Sequence, residues 1–132
     1  MYTMWKFDKI KPKKMYSLPA GTYYIGDICY VLSDSMYENI FGGTGYESGL
    51  YSSDIGTFLV SGTADGDGIY TGTDGHEYMV DAGVIGIVSA GLCDKETDLG
   101  RIYTFSSEVS VKMKDGVFSF NSEGVSLTID TR

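Results

Sequence analysis

The chain has 132 residues, of which 42% are hydrophobic, and a formal net charge of −8 at neutral pH. This length corresponds to one domain with a sizeable core, and the hydrophobic fraction argues against wholesale disorder. No stretch approaches the roughly 18 apolar residues that a membrane-spanning helix requires, so no membrane partner is expected.

The charge is divided unevenly along the chain. Residues 1–14 carry five lysines and one aspartate, which is +4, so the rest of the chain carries −12. Nucleic-acid binding depends on cationic side chains that neutralise phosphates, so direct binding of DNA or RNA is not expected. An acidic body favours partners that present a basic surface.

Glycine and tyrosine are abundant, at 18 and 11 residues. Glycine is best placed in turns and close backbone contacts, and tyrosine suits a half-buried pleated surface. The composition therefore predicts a mainly β protein.

The chain begins with a basic segment, residues 1–19, and residues 20–132 are predicted to form a single β-rich domain. We expect the segment to dock on the acidic domain, or on an identical neighbour as a homo-oligomer, through Trp5 and Phe7, because exposed ion pairs contribute only about 0–1 kcal/mol each. The alternative is a frayed terminus. The segment lacks the apolar stretch of a signal peptide, so a cytoplasmic location is expected.

A strand is predicted at residues 22–25; Gly26 and Asp27 interrupt it, and residues 29–32 resume it. Ser33 and Asp34 then provide a helix N-cap. Apolar residues at helical spacing between 36 and 41 predict one short α-helix, which the glycines at 42 and 43 end.

Residues 42–56 are predicted to form a loop of Gly, Ser, Thr and Tyr. Tyr46 and Tyr51 in this loop suit an adaptable binding surface, because tyrosine supplies contact area at low entropic cost. The alternative is a connection whose tyrosines fold back on the core.

Residues 57–88 contain strands at 58–60 and 78–80 and a central strand at 84–88, buried on both faces. Gly86 within the central strand indicates a bulge or a tight packing contact. Between the first two strands, Asp65 and Asp67 alternate with glycines, followed by Ile69 and Tyr70.

The Asp65–Asp67 loop lacks the ligands of known ion-binding motifs. A calcium loop would need an oxygen donor where Ile69 stands and a distal glutamate. A phosphate-binding loop would need a lysine after its glycines, and carboxylates repel phosphate. We therefore assign no metal site and read the segment as a glycine-spaced turn, with a polar ligand loop as the alternative.

No catalytic residue and no cofactor is assigned, and whether the protein is an enzyme stays open. His76, the only histidine, follows Asp74-Gly75 and is typical of an exposed turn; the alternative is a general base beside neighbouring carboxylates. Cys29 and Cys93 lie in apolar surroundings and are interpreted as buried free thiols.

The C-terminal third predicts four strands, at residues 101–105, 109–113, 117–120 and 125–129. Asp115-Gly116 predicts a two-residue type I′ hairpin. The whole pattern predicts a single-domain β-sandwich or partly open barrel of about eight strands with one short α-helix.

Three motifs resemble a family of small, functionally uncharacterised proteins of bacteriophages and mobile elements. Residues 21–32 resemble its GTYxIGDPCYV motif, with Ile28 where proline is usual; residues 66–70 match GDGxY, and residues 80–88 match VDAGxIGIV. The closing FxF and IDT strands are also present. The resemblance covers residues 21–131 and implies a viral or mobile-element origin, in which small acidic proteins often inhibit host factors.

The leading hypothesis is a non-enzymatic acidic binding protein of phage type in the host cytoplasm. It would inhibit a host protein, from defence or nucleic-acid processing, by occupying a basic surface, with nucleic-acid mimicry as the sharper form. The alternative is a small-molecule or nucleotide binder, or a small enzyme, using a strand-end pocket. The residues expected to bind a partner or ligand are Asp27, Tyr46, Tyr51, Asp65, Asp67, Tyr70, His76 and Asp81.

Overall fold

A computed structural model describes residues 6–132 of the chain. Within them, twelve strands form three antiparallel sheets. The strands are β1 (Asp8–Ile10), β2 (Tyr16–Leu18), β3 (Gly21–Gly26), β4 (Gly49–Ser53), β5 (Gly56–Gly62), β6 (Gly68–Thr71), β7 (Glu77–Val80), β8 (Val84–Ser89), β9 (Arg101–Phe105), β10 (Val109–Lys114), β11 (Val117–Ser122) and β12 (Val125–Asp130).

Helical structure is confined to short turns. They are 3-10 turns at Ile28–Tyr30, Gly42–Thr44 and Ala90–Leu92, an α-helical turn at Asp34–Met36 and a π-helical turn at Tyr37–Phe41. No helix within residues 6–132 has the length and apolar character needed to cross a bilayer.

The sheets build a sandwich-like single domain. The six-stranded sheet has the order β1-β4-β5-β8-β3-β9, the four-stranded sheet has the order β12-β11-β10-β2, and β6 and β7 form a separate hairpin. Both larger sheets are open, with an edge strand at each end. The predicted mainly-β fold is confirmed, with twelve described strands where about eight were predicted.

The first core lies between the two larger sheets. Side chains alternate along a strand, so Ile25 and Ile87 point from the six-stranded sheet towards Phe118, Phe120 and Ile129 of the four-stranded sheet. All five side chains are buried. Because both sheets supply one face to this core, neither is stable without the other.

The second core covers the opposite face of the six-stranded sheet. Phe58 and Val88 of that sheet pack against Ile28, Leu32 and Phe41 of residues 28–44, which we call the helical segment. The helical segment is therefore a third layer, and the six-stranded sheet is buried on both faces.

β8 shows why a glycine stands in a central strand. Residues 85–88 are buried, as predicted, and β8 lies between β5 and β3. Gly86 keeps a regular register with Val60 and Gly26, so it forms no bulge. A Cβ on Gly86 would lie 2.8 Å from Cγ2 of Ile28 and would also collide with the carbonyl oxygen of Leu59. Gly86 thus allows the helical segment to approach the sheet closely.

Two local predictions were wrong or incomplete. Residues 29–32 do not resume a strand, because the side chain of Asp27 caps a 3-10 turn at Ile28–Tyr30. Ser33 caps the next turn as predicted, by accepting from the Met36 N–H at 3.1 Å. The helical segment, however, runs through the 3-10 turn at Gly42–Thr44 and ends at Gly45, which adopts a left-handed φ of 78°.

The C-terminal strands and their turn are confirmed. Asp115 and Gly116 have φ angles of 52° and 79°, both positive as a type I′ turn requires. β10, β11 and β12 form a meander in the four-stranded sheet, whereas β9 pairs with β3 in the six-stranded sheet.

The N-terminal segment contributes a strand to each larger sheet. β1 pairs with β4, and β2 pairs with β10. The Phe7 ring lies 5.8 Å from the Phe58 ring, and the Lys9 Nζ lies 3.4 Å from a carboxylate oxygen of Glu47. Trp5, the other predicted anchor, lies outside the described residues. Residues 7–18 thus hold their positions by strand pairing and aromatic contact.

Deletion of residues 1–14 is expected to lower the melting temperature by several degrees, because it removes β1 and the Phe7–Phe58 contact, a loss of about 1–3 kcal/mol. Thermal unfolding followed by circular dichroism measures this change. As a control, replacing Lys11, Lys13 and Lys14 with glutamine leaves the pairing intact and should shift stability by less than about 1 kcal/mol. An unchanged melting temperature in the deletion variant would contradict the docking.

Candidate functional site

Asp27 is a buried carboxylate held by backbone groups. Its side chain is fully buried. Oδ1 accepts from the Cys29 N–H at 3.0 Å, and Oδ2 accepts from the N–H groups of Asp81 and Ala82 at 2.8 and 2.7 Å. The carboxylate therefore ties the end of β3 to the turn between β7 and β8, and its oxygens are engaged within the protein.

Tyr30 lies beside the acidic strand ends. Its hydroxyl is buried and has no hydrogen-bond partner among the described residues. Burial, and then the negative charges of Asp81 and Asp67 among its neighbours, raise the pKa of Tyr30 to about 12. The hydroxyl is thus a protonated donor near neutral pH. The structure brings Asp67 and Asp81, both predicted site residues, to one end of the sheet.

The Asp65–Asp67 loop is closed by its own hydrogen bonds. The hydroxyls of Thr63 and Tyr70 both donate to the carbonyl oxygen of Gly66, each at 2.7 Å. Asp65 and Asp67 are exposed. No group of three His, Cys, Asp or Glu side chains suited to a metal ion occurs within the described part of the chain. Tyr70 therefore shapes the loop, and the two carboxylates face solvent.

His76 is separate from these carboxylates, at the opposite end of the β6–β7 hairpin. Its ring packs edge-on against Tyr78, with the ring centroids 4.7 Å apart. Its Nε2 is buried without a hydrogen-bond partner among the described residues. His76 is thus a half-buried turn residue, where an exposed one was expected.

Asp74 forms a polar cluster that the sequence reasoning missed. Oδ2 accepts from the hydroxyls of Tyr78 and Tyr103, at 2.7 and 2.6 Å, and from Nη1 of Arg101 at 3.1 Å. Oδ1 accepts from the His76 N–H at 3.1 Å. Because Tyr103 and Arg101 belong to β9, this carboxylate fastens the β6–β7 hairpin to the edge of the six-stranded sheet.

The protonation states of this cluster favour a structural clamp over acid–base chemistry. Burial alone would raise the pKa of Asp74, but the hydrogen bonds from Tyr103, Tyr78, His76 and Arg101 outweigh it and lower that pKa. Burial, followed by the bond to Asp74, raises the pKa of Tyr78 and of Tyr103. Near neutral pH the Asp74 carboxylate is an acceptor and both phenols are donors. None of these three groups is therefore poised to exchange a proton.

Replacing Asp74 with asparagine should destabilise the protein by about 1–3 kcal/mol at pH 7, because the amide cannot replace a charged acceptor that serves four donors. Since folding lowers this pKa, the stabilisation is complete above the unfolded pKa of about 4 and is lost as pH falls through the folded pKa. The difference in free energy of unfolding between wild type and Asp74→Asn, measured by urea unfolding, should therefore be smaller at pH 3 than at pH 7. Asp65→Asn, at an exposed position, is the control, and its free energy of unfolding should equal that of wild type at both pH values. If the difference for Asp74→Asn is the same at pH 3 and pH 7, the carboxylate of Asp74 is not the stabilising acceptor.

Tyr46 and Tyr51 have different environments. Tyr46 is 50% exposed, and its ring packs on Tyr37 and Phe41 of the helical segment. Tyr51 is 1% exposed, belongs to β4 and stacks on Phe58 at 4.6 Å. Tyr51 thus follows the alternative in which a tyrosine folds back on the core, and Tyr46 alone presents a ring to solvent.

Both thiols are free and partly buried. Burial, followed by the charge of Asp27, raises the pKa of Cys29 to about 12, and burial raises the pKa of Cys93 to about 11. Thiols with raised pKa values are poor nucleophiles at neutral pH, because the thiolate is the reactive form.

A groove of about 580 Å³ opens beside β9. Its lining consists of Tyr24, Val31, Ala90, Cys93, Asp94, Lys95, Glu96, Thr97 and Ile102. Ile102 is 55% exposed, although its side chain is large and apolar. None of the predicted site residues lines this groove, although Tyr24 and Val31 belong to the motif at residues 21–32.

The surface charge is concentrated in one part of the chain. Residues 27–100 contain thirteen carboxylates and a single cation, Lys95, whereas residues 101–132 contain four of each sign. Of the thirteen carboxylates, all but those of Asp27 and Asp74 belong to exposed residues. Lys95 is itself paired with Asp34 at 3.0 Å. We call the exposed carboxylates of residues 27–100, which include Asp65, Asp67 and Asp81, the acidic surface.

No protein-family model, no curated protein and no solved structure matches this chain. The resemblance to phage proteins therefore stays a prediction.

Proposed function

We propose that this protein is a non-enzymatic acidic binding protein that occupies a basic surface of a host protein. The resemblance to phage and mobile-element proteins supports a host target from defence or nucleic-acid processing, met in the host cytoplasm. Direct nucleic-acid binding is not part of the proposal, since the acidic surface repels phosphates.

The separation of charge carries this proposal. Residues 27–100 carry eleven exposed carboxylates and one cation, Lys95, which is paired with Asp34; Lys9 of β1 is paired with Glu47. A field of one sign speeds the encounter with a surface of the opposite sign and suppresses wrong partners. A solvated acidic face without such a partner is the ordinary alternative, so the proposal needs a direct binding test.

The partly or fully buried carboxylates are occupied by hydrogen bonds within the protein and the two thiols have raised pKa values, which favours binding over catalysis. The oxygens of Asp27 and Asp74 accept hydrogen bonds from the protein itself. Cys29 and Cys93 have raised pKa values. Among the exposed carboxylates, Asp34 and Glu47 are paired with Lys95 and Lys9, whereas Asp65, Asp67 and Asp81 form no ion pair within residues 6–132 and face solvent.

The test is capture of partners from bacterial lysate at 50 and 300 mM salt, with two matched variants. One variant carries Asp65→Asn, Asp67→Asn and Asp81→Asn on the acidic surface. The other carries Glu108→Gln, Asp115→Asn and Glu123→Gln, which are also exposed and remove the same charge from the C-terminal region.

Capture of a defined protein should weaken at 300 mM salt and in the first variant, and persist in the second. Failure to recover any protein at either salt concentration would overturn the proposal. Equal loss in both variants would assign the effect to net charge and reject the acidic surface as the contact.

A small-molecule binder is a second candidate, favoured by one observation. The Tyr30 hydroxyl is a buried donor without a partner among the described residues, beside Asp67 and Asp81. A thermal-shift screen of nucleotides and metabolites on wild type and Tyr30→Phe tests it, since a ligand at about 100 times its Kd stabilises by about 2.7 kcal/mol. A flat screen, or equal shifts in both proteins, counts against it.

A further inference from the structure

We infer that Tyr46 anchors the contact with the partner, and that its exposed ring receives an arginine side chain from the partner's basic surface. The inference rests on the proposed function, because it names the residue of this chain and the residue type of the partner that meet.

Tyr46 has a backbone conformation that a bulky side chain rarely adopts. Its φ is 60°, in the left-handed region. Within residues 6–132, Asp115 is the only other residue besides glycine with a positive φ, and it belongs to a type I′ turn that requires one. Glycine or asparagine would adopt this φ at Tyr46 with less strain. Because strain of this kind is concentrated at functional sites, the presence of a tyrosine points to a role for its side chain.

Hydrogen bonds on both sides of Tyr46 fix this conformation. The Tyr46 N–H donates to the Phe41 carbonyl oxygen at 3.0 Å. After Tyr46, the Glu47 carbonyl oxygen accepts from the buried Tyr51 hydroxyl at 2.6 Å. A loop that is fixed before binding loses little conformational freedom when a partner arrives, and this favours affinity.

The helical segment supports the ring of Tyr46. The ring centroid lies 5.3 Å from that of Phe41 and 5.8 Å from that of Tyr37. A Cβ on Gly42 would lie 3.1 Å from the ring, so glycine at this position allows the ring to lie close to the backbone. Both supporting rings belong to the π-helical turn at Tyr37–Phe41, and turns of this type are frequent at functional sites. Since Tyr46 is still 50% exposed, a fixed aromatic surface faces solvent.

The charge around this ring selects a cation. Residues 27–94 contain no lysine or arginine. Burial, followed by the charge of Asp27 and of further neighbours that include Tyr46 and Glu38, raises the pKa of Tyr37 to about 12. Tyr46 and Glu38 therefore both lie beside Tyr37. Glu38 is exposed and forms no ion pair within residues 6–132, so its carboxylate is available to a cation of the partner.

Arginine fits this site better than lysine. The face of an aromatic ring is negative, so it attracts a cation placed over it. The guanidinium group is planar, is more weakly hydrated than an ammonium group and stacks on aromatic faces. An arginine over Tyr46 would therefore contact the ring and remain beside the carboxylate of Glu38.

The probe is a fluorescent nine-residue peptide in which arginine and glycine alternate. Its comparisons are a lysine peptide and a citrulline peptide, and citrulline has the shape of arginine without its charge. Binding is followed by anisotropy at low ionic strength, and the contact is mapped by amide shifts of the ¹⁵N-labelled protein. We expect the arginine peptide to bind with the largest shifts at residues 37–47, the lysine peptide to bind several-fold more weakly, and the citrulline peptide at least about tenfold more weakly.

Two substitutions of Tyr46 test the aromatic ring itself. Tyr46→Phe keeps the ring and should bind the arginine peptide within about twofold of wild type, whereas Tyr46→Leu keeps only apolar bulk and should bind it about tenfold more weakly. Both new residues meet the same left-handed backbone, so their strain is matched. Amide spectra of both variants verify that the fold is intact.

A second pair of variants tests the carboxylate. Glu38→Gln should weaken binding of the arginine peptide several-fold. Glu77→Gln is the matched control, because it removes the same charge from an exposed position on β7 and should leave binding within about twofold of wild type.

Absence of binding at millimolar arginine peptide overturns the inference, as does equal binding of the arginine and citrulline peptides or equal binding by wild type and Tyr46→Leu. Equal binding of the arginine and lysine peptides rejects the assignment of arginine. Equal loss in Glu38→Gln and Glu77→Gln assigns the attraction to net charge and rejects the site beside Tyr46.

These outcomes are distinct from failure of the proposed function. If a host protein is captured through the acidic surface equally by wild type and by Tyr46→Leu, the proposed function stands and the Tyr46 anchor is rejected. If Tyr46→Leu loses the arginine peptide but no protein is captured from lysate, the arginine site stands and the proposed function fails.

Discussion

Replacing Asp27 with alanine is expected to reduce the free energy of unfolding by about 3–5 kcal/mol, the largest effect of any single substitution considered. The reason is that three backbone N–H groups, those of Cys29, Asp81 and Ala82, would lose their acceptor. Such donors cost free energy when they are buried without a partner. Urea unfolding measures the loss, which is a large share of the stability of a small domain.

Two comparison variants sharpen this prediction. Asp27→Asn retains one acceptor oxygen and should lower the free energy of unfolding less than Asp27→Ala does. Asp67→Ala removes a carboxylate from an exposed position and should change stability by less than about 0.5 kcal/mol. If Asp27→Ala is no worse than Asp67→Ala, the buried carboxylate does not hold the strand ends together.

Gly86→Ala is expected to destabilise the protein by about 2–3 kcal/mol through overpacking. The added Cβ would meet the carbonyl oxygen of Leu59, which is backbone and cannot rotate away, and would lie 2.8 Å from Cγ2 of Ile28. The helical segment would have to withdraw from the sheet. Thermal unfolding measures the loss, and the fluorescence of buried aromatic residues reports the displacement.

Gly62→Ala is the control for this prediction. Gly62 also lies in a strand of the six-stranded sheet, but its nearest neighbour would be 3.9 Å from the new Cβ, an ordinary contact. Because alanine reduces the entropy of the unfolded chain, Gly62→Ala should be neutral or stabilising. A similar loss at both positions would point to a general effect of glycine and not to the contact with Ile28.

The parts of the fold that follow from local chemistry were predictable from the sequence. Asp115-Gly116 forms its turn because aspartate and glycine tolerate positive φ angles, and Ser33 caps because its hydroxyl reaches a nearby N–H. The apolar run of β8 identified a central strand. Each of these signals depends on residues only a few positions apart, so no knowledge of distant partners is needed.

The parts that depend on distant partners were not predictable. β4 was assigned to a loop because it is rich in small residues; it forms a strand because β1 and β5 pair on either side of it. Residues 29–32 carry a strand-like pattern, but the side chain of Asp27 stabilises a turn instead. In β4, sheet pairing with distant strands outweighed local propensity. At residues 28–30 the capping bond from the Cys29 N–H is local, but the carboxylate of Asp27 that accepts it is also held by the distant N–H groups of Asp81 and Ala82.

The candidate site shows the same division. The Gly-Asp breaks at 26–27 and 66–67 and the Asp81-Ala82-Gly83 corner indicated that Asp27, Asp67 and Asp81 lie at strand ends, and the structure places them there. Asp74 and Tyr103 form a hydrogen bond although 29 positions separate them in the chain. The Asp-Gly turn at 74 was visible in the sequence, but the choice of Tyr103 as its partner depends on the position of β9 in the sheet.

The pairing of β2 with β10 has a consequence for biosynthesis. β2 precedes its partner strand by 91 positions (Leu18 to Val109), so β10 and the strands that follow it are synthesised well after β2. Until then the inner face of the six-stranded sheet, with Ile25 and Ile87, has nothing to cover it. Pairings between distant segments form slowly, and uncovered sheet faces aggregate. Nascent chains that stall before β12 should therefore be insoluble or bound to chaperones, because the sandwich can close only after β10, β11 and β12 have been synthesised.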